Sequence, residues 1–150
     1  MNAIKRMIFP LAILAMCLGG VAKVFAQSEQ ETIEANLKIF LKGLECNEGQ
    51  IMIAVFDSPE FFLLKPIKAI AIPADSISSI PVSLNLPRGI YAIALFQDAN
   101  NNGILDIGNN GIPTEKYGFS NDVEPVTGPP SFKDCSFEIE EDTTVMISMR

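Results

Sequence analysis

The 150-residue chain sets eighteen Asp and Glu against eleven Lys and Arg, a net charge of −7, with no histidine. A field of that sign repels phosphate backbones and anionic lipid, which argues against nucleic-acid binding and against docking on acidic membranes. Without histidine, no side chain has an ordinary pKa suited to acid–base work near neutrality, and the sequence holds no Cys-x-x-Cys pair of the zinc or redox kind.

Lys5 and Arg6 form a short positive region, Met7 to Gly20 is an apolar run, and Val24-Phe25-Ala26 offers small residues where a signal peptidase reads. Pro10, Gly19 and Gly20 interrupt the run, which is short for a bilayer crossing of ~20 residues. Residues 1–26 are therefore read as a cleavable secretory signal. That reading makes the protein exported, periplasmic or extracellular, with no stable membrane span after processing. Cys17 follows Met16 rather than the small residue of a lipoprotein signal. The signal holds Lys5, Arg6 and Lys23 and no acid, so residues 27–150 carry a net charge of −10. Residues 27–34 read as a polar linker and 35–150 as one domain.

Period-two alternation then dominates, the mark of strands with one buried face. Leu37, Ile39 and Leu41 alternate with Lys38, Phe40 and Lys42, and Gly43 to Gly49 turns the chain. Ile51, Ile53 and Val55 alternate with Met52, Ala54 and Phe56; this strand is apolar on both faces and is expected to be central and covered. Ser58 and Pro59 suit a helix start, and Phe61 to Leu64 predicts one helical turn before Pro66. Ile67 to Ile72, then Ile80 to Leu86, then Ile90 to Phe96 read as strands, the last two joined by a tight turn at Pro87-Arg88-Gly89. Cys135, Phe137 and Ile139 alternate, as do Val145, Ile147 and Met149, and Glu140-Glu141-Asp142 is expected to join them as a final hairpin. About seven strands with short turns predict an all-β fold: an antiparallel β-sandwich, immunoglobulin-like or transthyretin-like. Cys46 and Cys135 are read either as a disulfide or as two separate buried thiols, because pairing depends on the fold and not on spacing.

Between Asp98 and Pro130 the apolar period is lost, and Gly, Pro, Asn and Asp dominate. Long loops in small domains usually carry function or are disordered. Asp98-Ala99-Asn100-Asn101-Asn102-Gly103-Ile104-Leu105-Asp106 fits D-x-N-x-N-G-x-x-D. Oxygens of Asp98, Asn100, Asn102 and Asp106 can converge on one cation. Gly103 allows a sharp bend, and the Ile104 carbonyl can point inward. Calcium prefers such hard oxygen donors. The twelfth position is Asn109 rather than a bidentate Glu, so Glu115 or Asp122 would have to supply the missing carboxylate. The competing reading is a metal-free turn, since Asn, Asp and Gly are the usual turn residues.

Four segments form a recognisable set: Pro87-Arg88-Gly89-Ile90-Tyr91-Ala92, Asp98 to Asp106, Gly111-Ile112-Pro113-Thr114-Glu115 and Tyr117-Gly118-Phe119-Ser120-Asn121. Together they resemble a bacterial family of exported proteins, domain of unknown function 2141, over about Leu37 to Met149. Gln97 and Ala99 depart from it, standing where more polar or charged residues are expected in some relatives. The resemblance implies export and a β-sandwich and lends no catalytic residues. Phe119 is expected to plug one end of the sandwich and Tyr117 to cover the loop, with Gly118 relieving crowding between the two rings. An aromatic platform for a sugar or peptide is the alternative.

The expected role is a non-catalytic binding or structural module of the cell envelope, presenting the Asp98–Pro130 loop to an envelope protein or glycan. The alternative is a carboxylate-dependent enzyme such as a glycan hydrolase, drawing on Glu48, Asp57, Glu60, Asp98, Asp106, Glu115 or Asp122. No nucleophile stands in a recognisable motif.

Overall fold

A computed structural model describes residues 33–44, 48–77 and 81–150. All of them fall in one of the chain's two units, Glu31–Arg150. The expectations for the signal at 1–26, for residues 27–32, for Cys46 and for Ile80 lie outside the described residues.

Eight strands form two sheets in a sandwich-like arrangement. They are β1 (Glu34–Lys42), β2 (Gln50–Phe56), β3 (Lys68–Pro73), β4 (Val82–Pro87), β5 (Gly89–Asp98), β6 (Tyr117–Phe119), β7 (Phe137–Ile139) and β8 (Thr143–Ser148). One helical turn, α1 (Phe132–Cys135), precedes β7. The first sheet has the order β4-β1-β8; the second has the order β3-β2-β5-β6, with β7 also paired to β5.

The alternation read from the sequence selects the buried rows. Leu37 and Ile39 of β1, Leu84 and Leu86 of β4, Ile51, Ile53 and Val55 of β2, and Ile93 and Leu95 of β5 are buried in one core cluster. Burying each such side chain is worth ~1.5–3 kcal/mol, which is why the period-two pattern decides which face turns inward. Strand β2 lies between β3 and β5, as its two apolar faces predict. The expected helical turn at Phe61 to Leu64 is corrected: the Leu64 and Lys65 amides donate to the Phe61 carbonyl at 3.0 and 2.9 Å, but Leu63 is left-handed (φ 61°), so the segment is a turn and not a helical one.

Three further expectations are corrected. First, the Asp98–Pro130 segment is not all loop: it contains β6, one strand more than the seven expected. Second, β7 and β8 are not a hairpin. β7 pairs with β5 and β8 pairs with β1, so Glu140–Asp142 carries the chain from one sheet to the other. Acidic turn residues specify a bend but not which sheet receives the next strand. The Asp142 carboxylate accepts the Asn36 amide at 2.9 Å, which holds the crossing against β1. Third, the sandwich has one parallel pair: β8 runs parallel to β1, with Ile39 beside Val145 and Leu41 beside Ile147. Parallel neighbours require a crossover, and the passage between sheets supplies it.

The edges of the fold are closed by local chemistry. Tyr117 and Arg150 exchange backbone hydrogen bonds of 3.1 and 3.0 Å, tying β6 to the chain beyond β8. Where β6 ends, the Ser120 hydroxyl takes over: the Ile93 amide donates to it at 2.9 Å, and it donates to the Cys135 carbonyl. The hydroxyl thus fills the gap between β6 and β7 along β5. The Tyr91 hydroxyl donates to the Pro87 carbonyl at 2.8 Å and pins the β4–β5 turn.

Candidate functional site

Asp98 ends β5 opposite Gln50 of β2 and is fully buried. Its Oδ1 accepts the Asn102 amide at 2.9 Å, and its Oδ2 accepts the Gly103 amide and Gln50 Nε2, each at 2.9 Å. Burial alone would raise the carboxyl. The bonds from Gln50 and from the Gly103, Asn102 and Asn101 amides outweigh it and hold the pKa below the ordinary value. The loop therefore folds around a carboxylate. The positive φ values of Gly103 (81°) and Asn101 (59°) let the backbone bend over it.

Above that turn, three side chains meet. Asn100 Nδ2 donates to Asp106 Oδ2 at 2.6 Å, and Asn102 Nδ2 lies 3.1 and 3.3 Å from the two Asp106 oxygens. The amide oxygens of Asn100 and Asn102 accept the backbone amides two residues on, at 3.0 and 2.9 Å. These are the self-capping turns that Asn favours. Glu115 clamps the two ends of the loop, accepting the Ala99 amide on Oε1 at 2.9 Å and the Asp106 amide on Oε2 at 3.0 Å.

Of the six residues expected to ligate a metal, Asn100, Asn102 and Asp106 converge through side chains. Asp98 and Glu115 face backbone amides of the same loop, and the Ile104 side chain is exposed. Among the described residues, no group of three or more His, Cys, Asp or Glu side chains gathers as a metal-ligating cluster. The donors at the meeting point are one carboxylate and two amides. A half-turn of each amide would present a hard oxygen there, but would give up the bonds from the Asn102 and Ile104 backbone amides. Asp122 lies elsewhere: its carboxylate accepts the Ser148 amide at 2.6 Å and the Ser148 hydroxyl at 2.9 Å. Those Ser148 bonds, led by the amide, hold its pKa below the ordinary value.

The aromatic pair is placed differently from the expectation. Tyr117 and Phe119 stand edge to face, 6.0 Å apart, and pack with Ala92 and Cys135 in a second cluster, separate from the main core. Phe119 therefore covers the outer face of the five-stranded sheet, not the sandwich interior. Strand alternation is the reason: Gly118 takes the inward position. A Cβ there would meet the Ile147 side chain at 2.7 Å, so the glycine makes room for β8 and not for its neighbouring rings. Phe62 joins this outer layer, edge-on to Phe56 at 5.2 Å and to Phe132 at 5.8 Å. The Cys135 thiol is buried and free; burial first, then the charge of Asp134, push it up to about 11.

Sequence reasoning missed a cavity of about 800 Å³ on this outer face. Its floor is the Ala54–Ala94 pair of β2 and β5, extended by Ala69 of β3 and Phe119 of β6, all in register. The next row on that face holds Met52, Phe96 and Tyr117. The roof comes from the loop segments around Ile107–Pro113 and Pro125–Pro129. The signal was present as alanines at 54, 69 and 94 among larger strand residues, but only the pairing register sets them side by side.

A model of a bacterial family, described as "Uncharacterized protein conserved in bacteria (DUF2141)", matches residues 39–147, from within β1 to within β8. No curated protein and no solved structure matches the chain.

Proposed function

The chain belongs to that bacterial family, and from this premise we propose that it is an exported, non-catalytic module of the cell envelope, binding or structural, whose recognition surface is the Asp98–Pro130 segment set by weakly bound calcium. The observation that carries the proposal is the meeting of Asn100, Asn102 and Asp106 above a turn already closed by Asp98 and Glu115. A preformed backbone lowers the cost of ordering a loop for a cation or a partner. The proposed cation would sit where the two Asn amides meet the Asp106 carboxylate, and Asp98, Glu115 and the Ile104 carbonyl would join it only as the two carboxylates exchange bonds to backbone amides for the ion. A site with few carboxylates belongs with extracellular modules, whose dissociation constants are on the order of 10⁻⁴–10⁻³ M.

The non-catalytic reading is supported by two of the candidate acids, Asp98 and Asp122. A general acid needs a raised carboxyl, whereas Asp98 and Asp122 are pushed down by hydrogen bonds. Limited proteolysis and melting with and without millimolar calcium test the proposal. Calcium is expected to protect the 98–115 stretch and raise Tm, and Asp106→Asn is expected to abolish both effects while the strands melt as before. Equal cleavage and equal Tm in calcium and in chelator would refute the calcium-set loop.

A further inference from the structure

We propose that the cavity on the outer face of the five-stranded sheet is a binding site for a small uncharged lipid-like molecule, taking its linear hydrocarbon chain. The inference rests on the binding-module reading but not on calcium, because the cavity floor is sheet and not loop.

Volume comes first. About 800 Å³ falls inside the range of pockets that enclose small molecules, ~300–1,000 Å³. Chemistry comes second. Among the described residues no charged side chain lines the cavity, and the only side-chain polar groups are the hydroxyls of Tyr117 and Thr127. In a chain of net charge −7, nothing lining the cavity would offset a carboxylate or phosphate, so a buried anion would carry its full desolvation cost. A glycan or a peptide backbone would lose hydrogen bonds to water with two hydroxyls to replace them. An uncharged hydrocarbon loses none.

Shape comes third. Ala69, Ala54 and Ala94 sit side by side on three adjacent strands, a row crossing strands spaced ~4.8 Å apart. On the same face, Phe56 stands two residues to one side of Ala54 and Met52 two residues to the other, each row ~6.7 Å away. The methyl row is flanked by Phe56 and Met52 on β2 and by Phe96 on one side at β5, is open at Ala92 and Ala71, and ends against Phe119 of β6, which leaves a narrow trough across β3, β2 and β5 beside the loop segments. That shape suits an extended chain better than a broad ring system. At the rim, Leu63 lines the cavity in a left-handed conformation, φ 61°, which a side chain of that size adopts at a cost.

The test uses the uncharged fluorophore N-phenylnaphthylamine on the purified chain, in chelator and in calcium. We expect saturable one-to-one enhancement, displaced by dodecanol and not by dodecanoate. Ala94→Phe fills the trough floor and should weaken binding by about tenfold or more. Ala69→Phe, at an exposed edge position, should act in the same direction and serves if the first variant melts early. Binding in chelator with no calcium effect on Tm would leave the cavity assignment standing and the calcium loop refuted. No saturable signal, a signal unchanged in both variants, equal displacement by dodecanoate, or displacement by a proline-rich peptide and not by dodecanol would each overturn the assignment.

Discussion

Gly49 shows how one residue can carry a local contact that no contact energy describes. Its φ is +70°, and an added Cβ would fall 2.0 Å from the Asp98 carbonyl oxygen and 2.6 Å from the Ala99 Cα. Those atoms are backbone and belong to the start of the candidate loop, so they cannot yield without moving it. Gly49→Ala is expected to destabilise the fold by ~3 kcal/mol, read as a lower midpoint in urea at unchanged slope. An alanine variant as stable as the parent would show that the close approach is not maintained. The sequence marks Gly49 as a turn residue, which is correct but incomplete: the reason for glycine is the backbone of a strand about fifty positions away.

At the scale of elements, the break in the partners of β5 is the instructive case. β5 pairs with β6 at Ala94–Phe96 and with β7 at Gly89–Tyr91, and the Ser120 hydroxyl spans the interval. Ser120, Ile93 and Cys135 are all fully buried, so the hydroxyl satisfies backbone groups that water does not reach. Ser120→Ala is expected to cost ~2 kcal/mol, with faster hydrogen exchange at the Ile93 amide than in the parent. A cost near zero would mean that β6 and β7 close the gap unaided. The Asp98–Glu115 loop is an element of the same kind, made by side chains bonding to nearby backbone. Its pattern was legible because all its members lie within eighteen positions. Ser120 was not legible, because a serine after an aromatic carries no sign of the strand it will bridge.

For the whole molecule, acid is the general probe. Asp98, Asp122 and Asp134 all have pKa values below the ordinary value of 3.8. For Asp98 the lowering bonds overcome burial, for Asp122 the Ser148 amide leads, and for Asp134 the Ser131 hydroxyl leads. A depressed folded pKa contributes stability that is fully present above the unfolded value and is lost as pH falls through the folded one. Stability is therefore expected to hold down to about pH 4 and then to drop below it. Asp122→Asn should make that drop shallower. Denaturant midpoints across this range decide it, and a loss of stability setting in near neutrality would contradict the assignment.

Local pattern by itself determined the β class, most strand positions and the oxygen-rich loop. Each of these depends on side-chain alternation or turn chemistry within a few residues. Tertiary structure alone decided that β8 runs parallel to β1, that Tyr117 and Phe119 cover an outer face, and that three scattered alanines form one trough. Strand pairing joins residues far apart in the chain, and the burial that selects a register is shared among partners. No single segment records which neighbour it will meet.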